Sequence, residues 1–233
     1  MGNIQATKLI GTLLIVGPLL TVICYFIQQF GVLGTDVDPT SVAETAHLWA
    51  DASELTIATA VLIAFGVALF VHGIFFIANE IRSGGEGAAL AGSAMPFIMV
   101  GFVGIVAICG LTIAGANITD AAGQGFMTAV SVGTVASGIN AITGIFFGIG
   151  FTLIFLAIAS RDEYNSTLAY IAAIAAVVAV VASIIAISNI EQAKLMTQII
   201  GITYIIHVIY FIILGQSVLS RDSDSGDAKS EAA

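Results

Sequence analysis

His72 and His207 are the side chains in this sequence best suited to chemistry, because each places a titratable, metal-competent ring well inside a run of apolar residues. An ionisable group in such surroundings usually faces a protein interior or a water-filled path rather than lipid, which makes it a functional candidate by default. The spacing around both predicts that they face inward. Thr56, Ala60, Ala64, Ala68 and His72 recur at steps of four, a small-residue ridge of the kind that lets helices approach closely. Thr203, Tyr204, His207 and Tyr210 form a polar stripe at helical spacing. Three roles are open to these histidines: hydrogen-bonded core residue, proton relay or substrate contact, and joint ligand of a haem or metal. Joint ligation requires equal depth, and their distances from the ends of their runs differ by roughly 3 to 9 Å at 1.5 Å per residue. No other haem signature accompanies them. No cofactor is therefore predicted.

A second group lies in a more polar segment. Ser41-Val-Ala-Glu44 has the pattern of a capping box, led in by Pro39 and Thr40, and predicts a helix beginning near Val42. Glu44, His47, Asp51 and Glu54 then fall on one face, with Val42, Thr45, Trp49 and Ala52 on the other. Carboxylates and an imidazole on one face are metal-competent, although a metal normally draws its ligands from more than one element. The simpler reading is an amphipathic helix at the membrane surface, with Trp49 at headgroup depth. The chain contains no nucleophile elbow, HExxH pair, phosphate loop or paired core carboxylates, so the sequence gives no warrant for catalysis.

The elements that must position these residues are six apolar runs, at 9–30, 55–78, 94–116, 138–159, 168–188 and 195–214. Each is about 20 residues or more, enough to cross a hydrocarbon layer of roughly 30 Å as a helix. With 58% hydrophobic and 9% charged residues and a mean hydropathy of +1.07, the polar surface is too small to cover a soluble fold of 233 residues. The runs are continuous rather than alternating, which indicates helices and not barrel strands. The expected fold is all-α: one bundle of six transmembrane helices over 1–219, with a short exterior amphipathic helix. The first run is too long for a secretion signal and is read as a retained anchor. Cys24 and Cys109 both lie within apolar runs, where cysteine behaves as a small hydrophobe.

Charge placement predicts the orientation. Lys8, Arg82, Arg161, Arg221 and Lys229 fall on one side of the alternating spans, and only Lys194 on the other. Both termini should be cytoplasmic in a cell membrane. The opposite side carries Asp36, Asp38, Glu44, Asp51, Glu54, Asp120 and Glu191. A net charge of -9 argues against nucleic acid as a partner, because phosphate binding needs Lys and Arg in number. The stretch 83–87, SGGEG, reads as a flexible link. Residues 220–233, SRDSDSGDAKSEAA, have too little apolar area to offset the entropy of ordering and are expected to form a disordered acidic tail.

Small residues mark close crossings. Gly133, Ser137, Ala141, Gly144 and Gly148 recur at steps of three or four near Asn140, and intramolecular packing or homo-oligomerisation through that stripe would both explain them. Residues 117–137 are too polar and glycine-rich for a straight continuation of the fourth span, so a separate exterior helix is expected there. Pro96 should fall in the first turn of the third span. Asn117-Ile-Thr119 is a glycosylation sequon on the exterior side.

This layout resembles a broad prokaryotic family of six-span integral membrane proteins of unknown function. The likeness rests on the long loop after the first helix, the Asn-Glu-Ile-Arg turn ending the second, and the fourth span ITGIFFGIGFTLIFLAIASR. It implies a six-helix fold and no activity, and members often carry an acidic residue where this chain has His207. The expected function is a non-enzymatic accessory or structural component, alone with lipid or in a membrane complex. The alternatives are a small-solute or proton-linked transporter using His72, His207, Tyr204, Tyr210 and Asn140, and a haem-binding electron carrier.

Overall fold

The computed structural model describes residues 3–34, 38, 41–118 and 123–230, with side chains described within 8–221. Asp36, Pro39, Thr40, Thr119 and Asp120 lie outside the described residues. The chain forms α1 (Asn3–Phe26), which continues as a π-helical turn over Ile27–Leu33, then α2 (Val42–Asp51) and α3 (Ser53–Arg82). It proceeds through α4 (Ala88–Ala116), α5 (Gln124–Ala159), α6 (Ser166–Ser188), a 3-10 turn at Ile190–Gln192 and α7 (Ala193–Ser230). Among the described residues there is no strand. All the helices but α2 are long and apolar enough to cross a membrane, compatible with a multi-pass membrane protein.

The six long helices form a closed ring, each packed on two neighbours in the order α1, α3, α4, α5, α6, α7 and back to α1. Large apolar side chains such as Phe65, Val103, Ile142 and Ile174 stand exposed on its outside, the surface that lipid requires in place of a polar shell. Glycines set how closely the ring's helices approach. A methyl group at Gly17 of α1 would lie 2.5 Å from the Phe70 backbone nitrogen of α3, and one at Gly73 would lie 2.9 Å from the Leu14 side chain. The first and last spans close the ring reciprocally. A methyl at Gly215 would stand 2.7 Å from the Gly11 carbonyl oxygen, and one at Gly11 would stand 2.8 Å from that of Gly215.

Several boundaries differ from those read in the sequence. α5 is one helix of 36 residues, about 54 Å long, and no separate exterior helix precedes it among the described residues. In its polar beginning Thr128, Ser131 and Thr134 return their hydroxyl protons to the carbonyls of Gln124, Met127 and Val130, so these polar groups are satisfied within the helix. Gly133 is kept helical by packing, since Val42 of α2 sits directly over it. α4 starts at Ala88, so Pro96 lies well inside it. Pro18 likewise lies within α1, fully buried. α7 continues through Ser230, past the point where composition alone predicts an unordered end.

α2 begins at Val42 as the pattern predicts, but Ser41 makes no side-chain capping bond, so the capping box is not formed. The helix packs on α5, α4 and the π-helical turn at one end of the ring, with Trp49 over Gly115 and Gly133. At the other end Gly87 precedes α4 with φ 79°. A side chain there would be strained, and it would also strike Ser160 and the Ala157 carbonyl.

Candidate functional site

The ring encloses a cavity of about 280 Å³. Tyr25 near the end of α1, Asn140 and Thr143 of α5, and Thr197, Thr203, Tyr204 and His207 of α7 give it a polar edge. Its remaining wall is apolar, including Ile63, Val67, Ile105 and Phe147. Phe70, Phe151, Phe155 and Phe211 close it below in a mutually packed cluster, with ring centroids 5.5 to 6.2 Å apart in the Phe70–Phe151, Phe151–Phe155 and Phe155–Phe211 pairs. The cavity lies toward the end that carries α2, because Tyr25 is in the last turn of α1 and Thr197 in the first turns of α7.

His207 is buried and its Nε2 lies 3.1 Å from the Ala172 carbonyl oxygen of α6. A carbonyl only accepts, so Nε2 carries the proton and Nδ1 is the acceptor of the neutral ring. Phe151 and Phe155 pack against the imidazole at 5.4 and 5.3 Å. One turn earlier, the buried Tyr204 hydroxyl has no hydrogen-bond partner. Thr21 is close enough to interact with it, but no bond of proper geometry forms, and the Thr21 proton goes to the Gly17 carbonyl. The Thr203 and Thr197 hydroxyls are likewise committed to the carbonyls of Ile200 and Ala193.

The structure therefore gathers Asn140, Tyr204 and His207 and separates the other candidates. Tyr210 is buried beneath, edge-on to Phe155 at 5.1 Å, and does not line the cavity. His72 does not face inward: it is exposed, with its ring edge-on to Phe76. The ridge that predicted otherwise runs at steps of four, and each step advances about 40° around a helix of 3.6 residues per turn. Thr56 is buried, Ala64 half-buried and His72 exposed, a rotation of about 160° across the ridge. The two imidazoles are thus not brought together, and only His207 lines the cavity.

Glu44, His47, Asp51 and Glu54 are all exposed, and a break at Ala52 puts Glu54 on α3. His47 and Asp51 pair at 2.9 Å, but no group of metal-ligating side chains forms among the described residues. The fourth-span glycines serve different partners. Gly144 abuts Ser183 and Gly148 abuts Val180, both on α6, whereas Gly133 receives Val42 and Ser137 is exposed. Cys24 and Cys109 are free and buried.

The opposite end carries a network that spacing did not foretell. Arg161 donates to the Gly84 carbonyl at 2.6 Å and to both oxygens of Glu163 at 2.9 and 3.1 Å. The stretch 83–87 is therefore tied down rather than free. Arg221 donates to the Glu163 carbonyl, lies 3.6 Å from Glu80 and covers the Tyr164 ring at 4.4 Å. Tyr164 donates to Glu80 at 3.3 Å. The hydrogen bond from Arg161 holds the Glu163 carboxyl below the usual carboxylate range. Burial, aided by the Glu80 charge, pushes the Tyr164 phenol up to about 12. The sequence signal for this network was the clustering of cations on one side. Its pairing required the fold.

Comparison with protein-family models, with curated proteins and with solved structures finds no match.

Proposed function

We propose that this chain is a multi-pass protein of the cell membrane, both termini cytoplasmic, that admits a small uncharged molecule into its cavity from the outer face. The cavity carries the reading. A space of about 280 Å³ with a polar edge and an otherwise apolar wall is large enough to hold a small molecule. This favours transport or solute binding over a purely structural role. The solute is uncharged because no Asp, Glu, Lys or Arg lines the cavity, and a bare ion would leave water without a counter-charge.

Arg82, Arg161 and Arg221 lie at the end opposite α2, and such clusters mark the cytoplasmic side. α2 then lies at the outer surface with its charged residues in water and Trp49 turned to the bundle. Thiol accessibility tests both claims, in a background carrying Cys24→Ala and Cys109→Ala. A membrane-impermeant thiol reagent outside the cell should modify Thr143→Cys and Thr197→Cys, whereas Ser83→Cys should react only from the cytoplasm. Reaction of Thr143→Cys from the cytoplasmic side alone, or no reaction from either side, would remove the proposal.

A further inference from the structure

We infer that the cavity's ligand is an alcohol or phenol: a largely apolar molecule whose hydroxyl sits between Tyr204 and His207. The inference rests on the reading of the cavity as a binding site and adds the chemistry of what fills it. Tyr204 presents a buried hydroxyl with no hydrogen-bond partner, and a buried donor left unmade costs free energy until something accepts its proton. His207, three residues on and so on the same helix face, has Nε2 committed to the Ala172 carbonyl. Its ring therefore offers Nδ1 as an acceptor and nothing as a donor. The Thr21, Thr197 and Thr203 hydroxyl protons are already committed within their own helices, and the other polar side chains of the edge, Tyr25, Asn140 and Thr143, belong to α1 and α5 rather than to this face of α7. One free donor next to one free acceptor is the complement of a hydroxyl, the smallest group that both accepts and donates through one atom.

The rest of the ligand follows from the rest of the wall. Ile63, Val67, Phe70, Ile105, Phe147 and Phe151 make most of the wall apolar and would not compensate a charge, which excludes carboxylates and ammonium ions. The 280 Å³ available equals about nine water volumes at roughly 30 Å³ each. That is the scale of a one-ring or short-chain alcohol.

Benzyl alcohol, with toluene and benzyl methyl ether as matched probes, separates the possibilities for the full chain in nanodiscs. The readout is protection against photolabelling by a diazirine-bearing benzyl alcohol, with adducts mapped to peptides. We expect saturable labelling within 140–151 and 197–207, blocked about tenfold better by benzyl alcohol than by toluene or the ether. Tyr204→Phe, which removes one oxygen and keeps the ring, should lower the alcohol's protection about five- to tenfold, while Tyr170→Phe on the exposed face of α6 leaves it unchanged. Equal protection by all three probes, or an unchanged Tyr204→Phe protein, overturns the alcohol assignment and leaves the binding cavity standing. Absence of saturable labelling by any probe overturns the cavity reading itself. The wild-type probe series decides the matter alone should the variant fold poorly.

Discussion

Replacing Gly215 by alanine tests how the ring closes. The added methyl would stand 2.7 Å from the Gly11 carbonyl oxygen and 2.7 Å from Ile15 Cγ1. Ordinary contacts of this kind lie near 3.4 to 4 Å, so α1 and α7 must separate by about 0.7 Å or more at the crossing. Overpacking of this kind costs about 1 to 3 kcal/mol. In a soluble helix alanine would regain up to about 1 kcal/mol of propensity, but in a bilayer the separated helices remain helical, so that gain largely cancels. The expected net loss is about 1 to 3 kcal/mol, measured by steric trapping or by unfolding in mixed micelles. Gly11→Ala should cost a similar amount. The double variant should cost less than the sum, because the first substitution has already opened the crossing that the second would strain. Gly110→Ala is the control: nothing lies within 4 Å of its would-be methyl, and stability should stay within about 0.5 kcal/mol. If Gly215→Ala matches Gly110→Ala, or if the double variant is strictly additive, the reasoning from close approach is refuted.

Other perturbations have equally definite outcomes. His207→Ala should cost about 2 to 4 kcal/mol, combining lost ring volume with a lost hydrogen bond, whereas the exposed His72→Ala should stay within about 0.5 kcal/mol; equal costs would contradict their opposite placement. Glu163 has a depressed folded-state pKa, so its contribution is present above the usual carboxylate range and lost as pH falls through the folded value. Amide exchange in 160–165 should therefore quicken on acidification relative to its intrinsic rate, and Arg161→Gln should abolish that dependence; a Glu163 carboxyl that titrates at or above the usual range speaks against the pairing. The single tryptophan, Trp49, lies 3.1 Å from where a Gly115 side chain would begin. Gly115→Val should displace it and shift its emission, and an unchanged spectrum would show that α2 does not rest there.

The sequence exposed the spans because membrane helices announce themselves by length and continuous hydropathy, signals local to each segment. Start and stop points were less legible. Within the helical residues 124–137 the hydroxyls are satisfied by bonding back within the helix and α2 covers Gly133, and the second of these is a tertiary fact. The polar stripe of α7 faces inward because Thr203, Tyr204, His207 and Tyr210 follow spacings of one, three and three, which keeps them within one side of the helix. The α3 ridge was misread because unbroken steps of four drift around the helix until His72 faces out. Asn140, Tyr204 and His207 were each visible as polar residues in apolar runs. Their convergence on one cavity depends on which helices are neighbours, and no single-segment pattern encodes that order.

The contact between the first and last spans at Gly11 and Gly215 bears on how the molecule is made. A ribosome delivers α1 before α3, α4, α5, α6 and α7, so the two edges of the growing bundle stay unjoined until α7 emerges. Every shorter nascent product is an open arc whose inner faces meet lipid or a chaperone. The chamber comes into being only when α7 joins α1, and a polypeptide cut short before Ala193 would lack the wall that Thr197, Tyr204 and His207 supply.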